Sequence, residues 1–375
     1  MKVFLNAIIV HTLLNTYVFI RGWQILPKKG IAKTTYVGLF AVELSIYLFG
    51  FFAAERLPIE ILHPIMILGT SWMVLIMYLA GMLMLFDLVK LLGRKIKRLR
   101  ARINLGSLNL RRMYFLLSSV LVVALMIHGS YRFWHPVVTE MDLHIEKKAD
   151  IKQLKVLVVS DIHVGYLINR DVLKMYVDRI MEQKADIILI PGDIIDYDLP
   201  PVEYERMDEE FRRLNAPYGV FAVTGNHEYR LNAEDKIKWL SEKAGMTVLR
   251  DEAVNINDLF YIVGREDDKT DRIRKSLKTI MQNVDRDKPV IVMNHEPHRL
   301  YEESDQQVDL AVYGHTHNGQ LFPNNLLIKL LYEKGYGYKK KDNTHIYVSS
   351  GLGLSGPQYR IGTISEIVVF NLTFD

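Results

Sequence analysis

Two rhythms of hydrophobic and polar positions divide the chain near residue 135. Before that point apolar residues come in long runs: VFLNAIIVHTLLNTYVFI (3–20), TYVGLFAVELSIYLFGFFAA (35–54), ILHPIMILGTSWMVLIMYLAGMLMLF (61–86) and MYFLLSSVLVVALMIHGSYRFW (113–134). Each is near or above the roughly 18–20 residues a helix needs to cross hydrocarbon, so residues 1–135 are expected to form a bundle of about four transmembrane helices. The first run makes a poor signal peptide: its basic start is Lys2 alone, and no small-residue cleavage site follows it. From Leu154 the rhythm changes. Short β-rich runs alternate with segments of helical period, such as INRDVLKMYVDRIMEQKA (168–185) and NAEDKIKWLSEKAG (232–245). In the first of these Val172, Met175, Tyr176, Ile180 and Met181 share a face, and Asn169 is placed to cap it. The preceding stretch, VVTEMDLHIEKKADIKQ, alternates in part and reads as a short strand or two. Strands alternating with helices predict an α/β domain over residues 136–375.

Composition changes this picture in two places. Cysteine is absent, which removes disulfides, thiolate nucleophiles and sulfur-ligated metal sites. The net charge is only +4, yet nine Lys/Arg and no acidic residue lie between Lys90 and Arg112. Nucleic-acid binding is one reading of such a cluster. Its position between two apolar runs favours a cytoplasmic loop on anionic lipid, and no nucleic-acid partner is expected. With that loop inside, four spans put the Arg21–Lys33 loop and its four basic residues inside as well. The Glu55–Glu60 loop, with one arginine, and the N-terminus, with Lys2, then lie outside. The expected location is a cell membrane crossed several times, with residues 136–375 outside the cytoplasm. Aromatic residues near Trp134–Pro136 suit a headgroup anchor. Within the runs stand His11, Glu43, Asp87 and His128, too scattered for an obvious ion pathway. Glu43 and His11, near mid-span, are expected to face each other, contacts with Ser/Thr or backbone being the alternative.

The strands of the second domain are informative in how they end. LKVLVVS runs into Asp161-Ile162-His163, ADIILIPG into Asp193-Ile194-Ile195-Asp196, and YGVFAVTG into Asn226-His227-Glu228. KPVIVMN runs into His295-Glu296-Pro297, and VDLAVYG into His315-Thr316-His317. Ligands of α/β sheets gather at the carboxyl ends of strands, so these five ends can converge. One such ending is an ordinary turn. Five that together supply carboxylate, imidazole and amide donors predict a metal site. Oxygen and nitrogen donors without thiolate suit Mn, Fe or Zn. Seven donors exceed one tetrahedral site and fit two ions sharing a carboxylate. Gly192, Gly225 and Gly314 would let backbone pass close to them.

Taken together, DIHVG, GDIID, GNHE, NHEP and GHTH resemble, in order and approximate spacing, the five blocks of the calcineurin-like metallophosphoesterases, over roughly residues 154–375. The tail YVSSGLGLSGPQYRIGTISEIVVFNLTF and the GQLFP after the histidine pair look closer to a YkuE-like bacterial subgroup. The four preceding runs resemble its "transmembrane protein with metallophosphoesterase domain" members. The resemblance implies a four-layer α/β/β/α domain that hydrolyses phosphoric esters with two divalent ions. It implies that Asp161, His163 and His317 hold one ion, that Asn226, His295 and His315 hold the other, and that Asp193 bridges them. His227 matches the histidine near the scissile phosphate and Asp196 the acid that orients it, with a plain hydrogen-bonding role as the alternative for His227. Asn318 departs from the subgroup, which often has Gly there. Gly314 and Gly319 would leave room for substrate.

The expected chemistry is in-line attack by a hydroxide bridging the ion pair, with charge developing on the phosphoryl oxygens and leaving group. Arg360, in GPQYRIG, is a candidate phosphate contact, or a surface or strand-end arginine. Two other functions remain open: a lipid-headgroup or nucleotide-sugar pyrophosphatase, and a membrane sensor or transporter with a regulatory phosphoesterase domain. Substrate, metal identity and oligomeric state are not encoded in any motif found.

Overall fold

The computed structural model describes residues 2–53, 57–93, 104–270 and 273–375. The chain forms two compact units, Met1–Ser130 and Tyr131–Asp375. The boundary falls slightly before the expected 135/136 because the end of the fourth helix belongs to the second unit. There Phe133 is fully buried in the core, its ring edge-on to Tyr176 with centroids 6.4 Å apart. Its neighbours Tyr131 and Trp134, at the same helix end, are exposed.

In the first unit the four apolar runs become α1 (Lys2–Trp23), α2 (Ile31–Ala53), α3 (Ile59–Gly93) and α4 (Leu108–Trp134). Among the described residues, α3 and α4 are long and apolar enough to cross a membrane. Val18, Ile76, Leu79, Leu83 and Val122 pack inside the unit. Leu13, Val42, Leu68, Leu116, Val120 and Ile127 face outward, an apolar exterior that water does not favour. Polar groups turn inward. His11 Nε2 lies 2.8 Å from Glu43 Oε1, and both residues are buried. Asn15 joins them, 2.9 Å from His11 Nε2, and accepts from Trp72 Nε1 at 2.9 Å. The two mid-span groups therefore face each other, as expected. Asp87 accepts from Tyr17 at 2.7 Å and pairs with Arg21, while His128 is exposed. Residues 94–103 of the basic segment and 54–56 of the preceding loop lie outside the described residues.

The second unit is built on two six-stranded sheets. The first has the order β1 (Val137–Ile145), β12 (Glu366–Phe374), β2 (Gln153–Val158), β3 (Ile187–Pro191), β4 (Val220–Val223), β5 (Thr247–Val248). The second runs β10 (Gly337–Lys341), β11 (Thr344–Val348), β9 (Leu310–Tyr313), β8 (Val290–Met293), β7 (Phe260–Gly264), β6 (Glu252–Ile256). The centres of both sheets, β2-β3-β4 and β7-β8-β9, are parallel. Such strands are covered on both faces, which explains why they read as continuous apolar runs.

One core lies between the sheets, where Val156, Leu189 and Val223 meet Ile262, Met293 and Val312. The outer face of the first sheet packs on α5 (Arg170–Glu182) through Leu173, Tyr176, Val177 and Ile180. The outer face of the second packs on short helical turns through Leu277, Ile280 and Met281. The order is helix, sheet, sheet, helix. Asn169 Oδ1 caps α5 by accepting from Val172 N at 3.1 Å. Leu173 and Val177 complete the buried face of α5, whereas Met175 and Met181 sit at its half-buried margin.

Candidate metal centre

All five strand ends meet where the parallel centres of the two sheets finish. β2 leads into Asp161 and His163, β3 into Asp193 and Asp196, and β4 into Asn226 and His227. β8 and β9 deliver His295, His315 and His317. The backbone turns sharply at the exits of β2, β3 and β9. Asp161, His163, Asp193, His315 and His317 all have φ between 50° and 73°, a left-handed conformation that costs free energy in non-glycine residues and concentrates at functional sites. Adjacent exits are laced together: Asp161 N donates to Gly192 O at 3.1 Å, His163 N to Asp193 O at 3.0 Å, and Gly314 N to His295 O at 3.1 Å.

Two glycines permit the close approach. A Cβ on Gly225 would collide with the Asp193 carboxylate, and one on Gly314 with that of Asp161. Gly319 acts differently from the expectation. A Cβ there would strike the backbone of Asn324 and Asn325, so the glycine makes room for the following helix rather than for substrate. Asn318 has φ 46°. Asn is one of the few residues that adopts this conformation readily, so the turn does not require Gly here.

The side chains converge in two groups joined by one carboxylate. Asp161, His163 and His317 form the first. His317 Nε2 lies 3.1 Å from His163 Nε2 and 3.6 Å from Asp161 Oδ1. Asp193, His295 and His315 form the second. Asn226 Oδ1 joins it, 3.0 Å from His315 Nδ1 and 3.2 Å from His295 Nε2. Asp193 Oδ2 reaches both groups, at 3.6 Å from His163 Nε2 and 3.3 Å from His295 Nε2. His227 Nε2 is 3.9 Å from the same oxygen, and a third possible grouping is His163, Asp193 and His227. His227 Nδ1, however, is held by Asp196, 2.7 Å from its carbonyl and 2.8 Å from its carboxylate. His163 Nδ1 lies 3.3 Å from that carboxylate without hydrogen-bond alignment.

The charges follow from this packing. Burial alone would raise the Asp193 carboxyl, but the imidazoles of His295, His163 and His227 hold it well below the usual range. Burial opposes protonation of His295, and Asp193 beside it overcomes that, pushing His295 well above the usual imidazole range. His163 is likewise raised, against burial, by Asp196 and Asp193. His315 is pushed down to about 3 by burial and by His295. Burial, His163 and Arg360 push His317 well below its ordinary value. His317 therefore presents a neutral imidazole, and its buried Nδ1 has no hydrogen-bond partner. Facing imidazole nitrogens, carboxylates and an amide oxygen, with no thiolate, fit divalent cations with a preference for nitrogen and oxygen.

Two supporting groups escape a strand-end reading. Glu228 is fully buried, and its carboxylate accepts from Asp193 N, Ile194 N, Ile195 N and Gly225 N at 2.7–3.0 Å. It fixes the loop that carries Asp193. Lys236 Nζ, also buried, donates to His227 O at 2.9 Å. The signal for Glu228 was its place in GNHE; nothing distinguished Lys236 from other helix lysines.

Arg360 requires a correction. It is fully buried, and its guanidinium donates to the carbonyls of Ser350 (2.7 Å), Gly351 (2.8 Å), Gly353 and His317 (3.3 Å), and to Ser365 Oγ (3.3 Å). Its donors are spent on the loop beside His317, so it is neither a phosphate contact nor a surface arginine.

Residues 154–319 match the model of the calcineurin-like phosphoesterase family. An uncharacterized metallophosphoesterase of Aquifex aeolicus (strain VF5) is 34% identical over 63% of this chain and 91% of its own length. The Bacillus subtilis (strain 168) protein YkuE, an uncharacterized metallophosphoesterase, is 29% identical over 65% of this chain and 89% of its own. A Danio rerio "transmembrane protein with metallophosphoesterase domain" is 25% identical over 86% of this chain and 76% of its own, a span reaching into the first unit. That family uses a pair of divalent metal ions, for which the two side-chain groups here are suited. The chain belongs to the calcineurin-like metallophosphoesterases.

Proposed function

We propose that this protein is a membrane-anchored hydrolase of phosphoric esters with a binuclear metal centre. The carrying observation is the Asp193 carboxylate, whose Oδ2 lies within 3.6 Å of imidazole nitrogens from both groups of donors. In this reading Asp161, His163 and His317 hold one cation, Asn226, His295 and His315 the other, and Asp193 is shared. When bound, the pair would act as a Lewis acid, binding phosphoryl oxygens and lowering the proton affinity of the attacking water.

The chain's own residues do the rest. Two acceptors at its Nδ1 keep a proton on that atom of His227, so Nε2 is the nitrogen available to the substrate. Protonated at Nε2, the ring is stabilised by Asp196 and can pass that proton to the departing oxygen. Glu228 and Arg360 keep the ligand loops from spreading, so little reorganisation is needed as charge develops.

The membrane part of the proposal is supported by α3 and α4 and by the apolar exterior of the first unit. Its polar side chains His11, Glu43, Asn15 and Trp72 satisfy one another, which favours an anchor over a transport pathway. The Lys/Arg pattern supports a hydrolase domain outside the cytoplasm, where lipid headgroups, envelope polymers or exported nucleotides would be the substrates. The test is hydrolysis by the purified full chain with Mn²⁺, assayed on phosphomonoesters, diesters, nucleotide sugars and phospholipids. Turnover of none of these, in a folded and metal-loaded protein, would defeat the proposal.

A further inference from the structure

Beyond α6 (Ala233–Glu242) and the His315–His317 loop, the short helix α7 (Asn324–Leu331) buries none of its residues. Leu326, Leu327, Leu330 and Leu331 are 49%, 55%, 81% and 74% exposed, and Phe322 just before them is 47% exposed. At about 100° per residue the four leucines occupy one arc of about 140°. Soluble surfaces scatter their apolar residues; a contiguous patch marks a contact. Between Asn324 and Lys341 the chain carries five lysines against one glutamate. Lys329 is exposed on the helix and Lys334 and Lys340 follow it in sequence, while Lys339 and Lys341 share Glu333 at 2.7 and 3.2 Å, which leaves the segment with a positive excess.

The patch is tied firmly to the metal centre. The start of α7 abuts Gly319. Ile328 packs over Gly335, whose carbonyl accepts from Thr316 Oγ1 at 2.6 Å, between the two histidines of the loop. Tyr332, next after α7, stacks on His298 with ring centroids 5.1 Å apart and lies 6.3 Å from the His315 ring.

We infer that α7 docks on a lipid surface, inserting its leucines among acyl chains with its lysines among anionic headgroups, and so brings the metal centre to phosphoesters held in the bilayer. An apolar arc beside a basic rim is the chemistry of an interfacial helix. The membrane is also close along the chain: α4 ends at Trp134 and β1 begins at Val137, a link of at most about 10 Å. The inference rests on the membrane-anchored hydrolase reading and narrows its substrates to amphiphilic ones.

The chain has no cysteine, so Leu330→Cys provides a single thiol for an environment-sensitive fluorophore. Full-length protein is placed in nanodiscs of phosphatidylcholine and phosphatidylglycerol containing spin-labelled lipid. Blue-shifted, strongly quenched emission at position 330, but not from Lys238→Cys on α6, is the expected result. Unquenched emission at 330 overturns the inference, as does emission shielded equally in lipid-free detergent, which would point to a second copy. In parallel, Leu330→Gln/Leu331→Gln should lower turnover of a bilayer phospholipid about tenfold and leave a water-soluble phosphoester unchanged. Equal effects on both esters would also overturn it. Inactivity of the unmutated chain on every ester would instead refute the hydrolase reading, and the quenching result would still decide the docking.

Discussion

Asp196 grips His227 twice at one nitrogen: Nδ1 lies 2.8 Å from the Asp196 carboxylate and 2.7 Å from its backbone oxygen. Burial would raise the Asp196 carboxyl, but the imidazoles of His163 and His227 beside it hold it well below the usual range. It therefore stays ionised at any working pH and holds the His227 ring through Nδ1. His227→Ala should keep its metal and lose about 10²–10⁴-fold in kcat. Asp196→Asn, which retains an oxygen acceptor but loses the charge, should fall in the same direction by less. Metal analysis beside steady-state kinetics checks both; loss of metal in His227→Ala would make that residue a ligand.

Arg360 should matter to stability before it matters to substrate. Arg360→Met leaves at least three buried carbonyls without their donor, at a cost of about 1–3 kcal/mol for each unsatisfied group. Thermal or urea unfolding should show a loss of several kcal/mol by that measure. In whatever fraction folds, KM should stay near its original value. A raised KM with unchanged stability would restore the phosphate-contact role.

Metal uptake should depend on pH through two imidazoles and not the others. In the metal-free chain neighbouring carboxylates raise His295 well above, and His163 above, the ordinary imidazole value, so both hold protons to higher pH than a free imidazole. His315, pushed down to about 3, and His317 are already neutral. A cation must displace protons from the first two only, so affinity should rise as pH increases and protons should be released on binding. Titration calorimetry in two buffers of different ionisation enthalpy measures that release. Proton-neutral binding at pH 7 would contradict the assignment.

In the proposed reading, with all four helices of the first unit spanning and the basic 90–112 segment inside, the second unit is expected outside the cytoplasm. A C-terminal alkaline-phosphatase fusion should be active and a fluorescent reporter that matures only in the cytoplasm should be dark. The reverse pair of results would invert the topology.

Much of the candidate site was legible because each proposed ligand follows directly on a short apolar strand, and a sheet brings such ends together whatever their separation in sequence. The long apolar runs announced the helices of the first unit by their unbroken length. The pairing of His11 with Glu43 was legible from the cost of leaving either alone. What was hidden depends on packing between distant segments. Arg360 displays its charge in the sequence but not its burial among loop carbonyls. Gly319 reads as space for a ligand until Asn324 and Asn325 are seen against it. Nothing in NNLLIKLL says that its leucines stay uncovered.

The shared carboxylate is the point on which the account stands. Asp193→Asn keeps the shape of the side chain and removes the charge that lies between His163 and His295. Metal content per folded chain, measured by elemental analysis after gel filtration and paired with hydrolysis of a soluble phosphoester, is the direct test. The unmutated chain should carry two divalent ions, and Asp193→Asn should carry fewer and hydrolyse nothing. Two ions retained in Asp193→Asn, with turnover intact, would contradict a binuclear centre built around this residue.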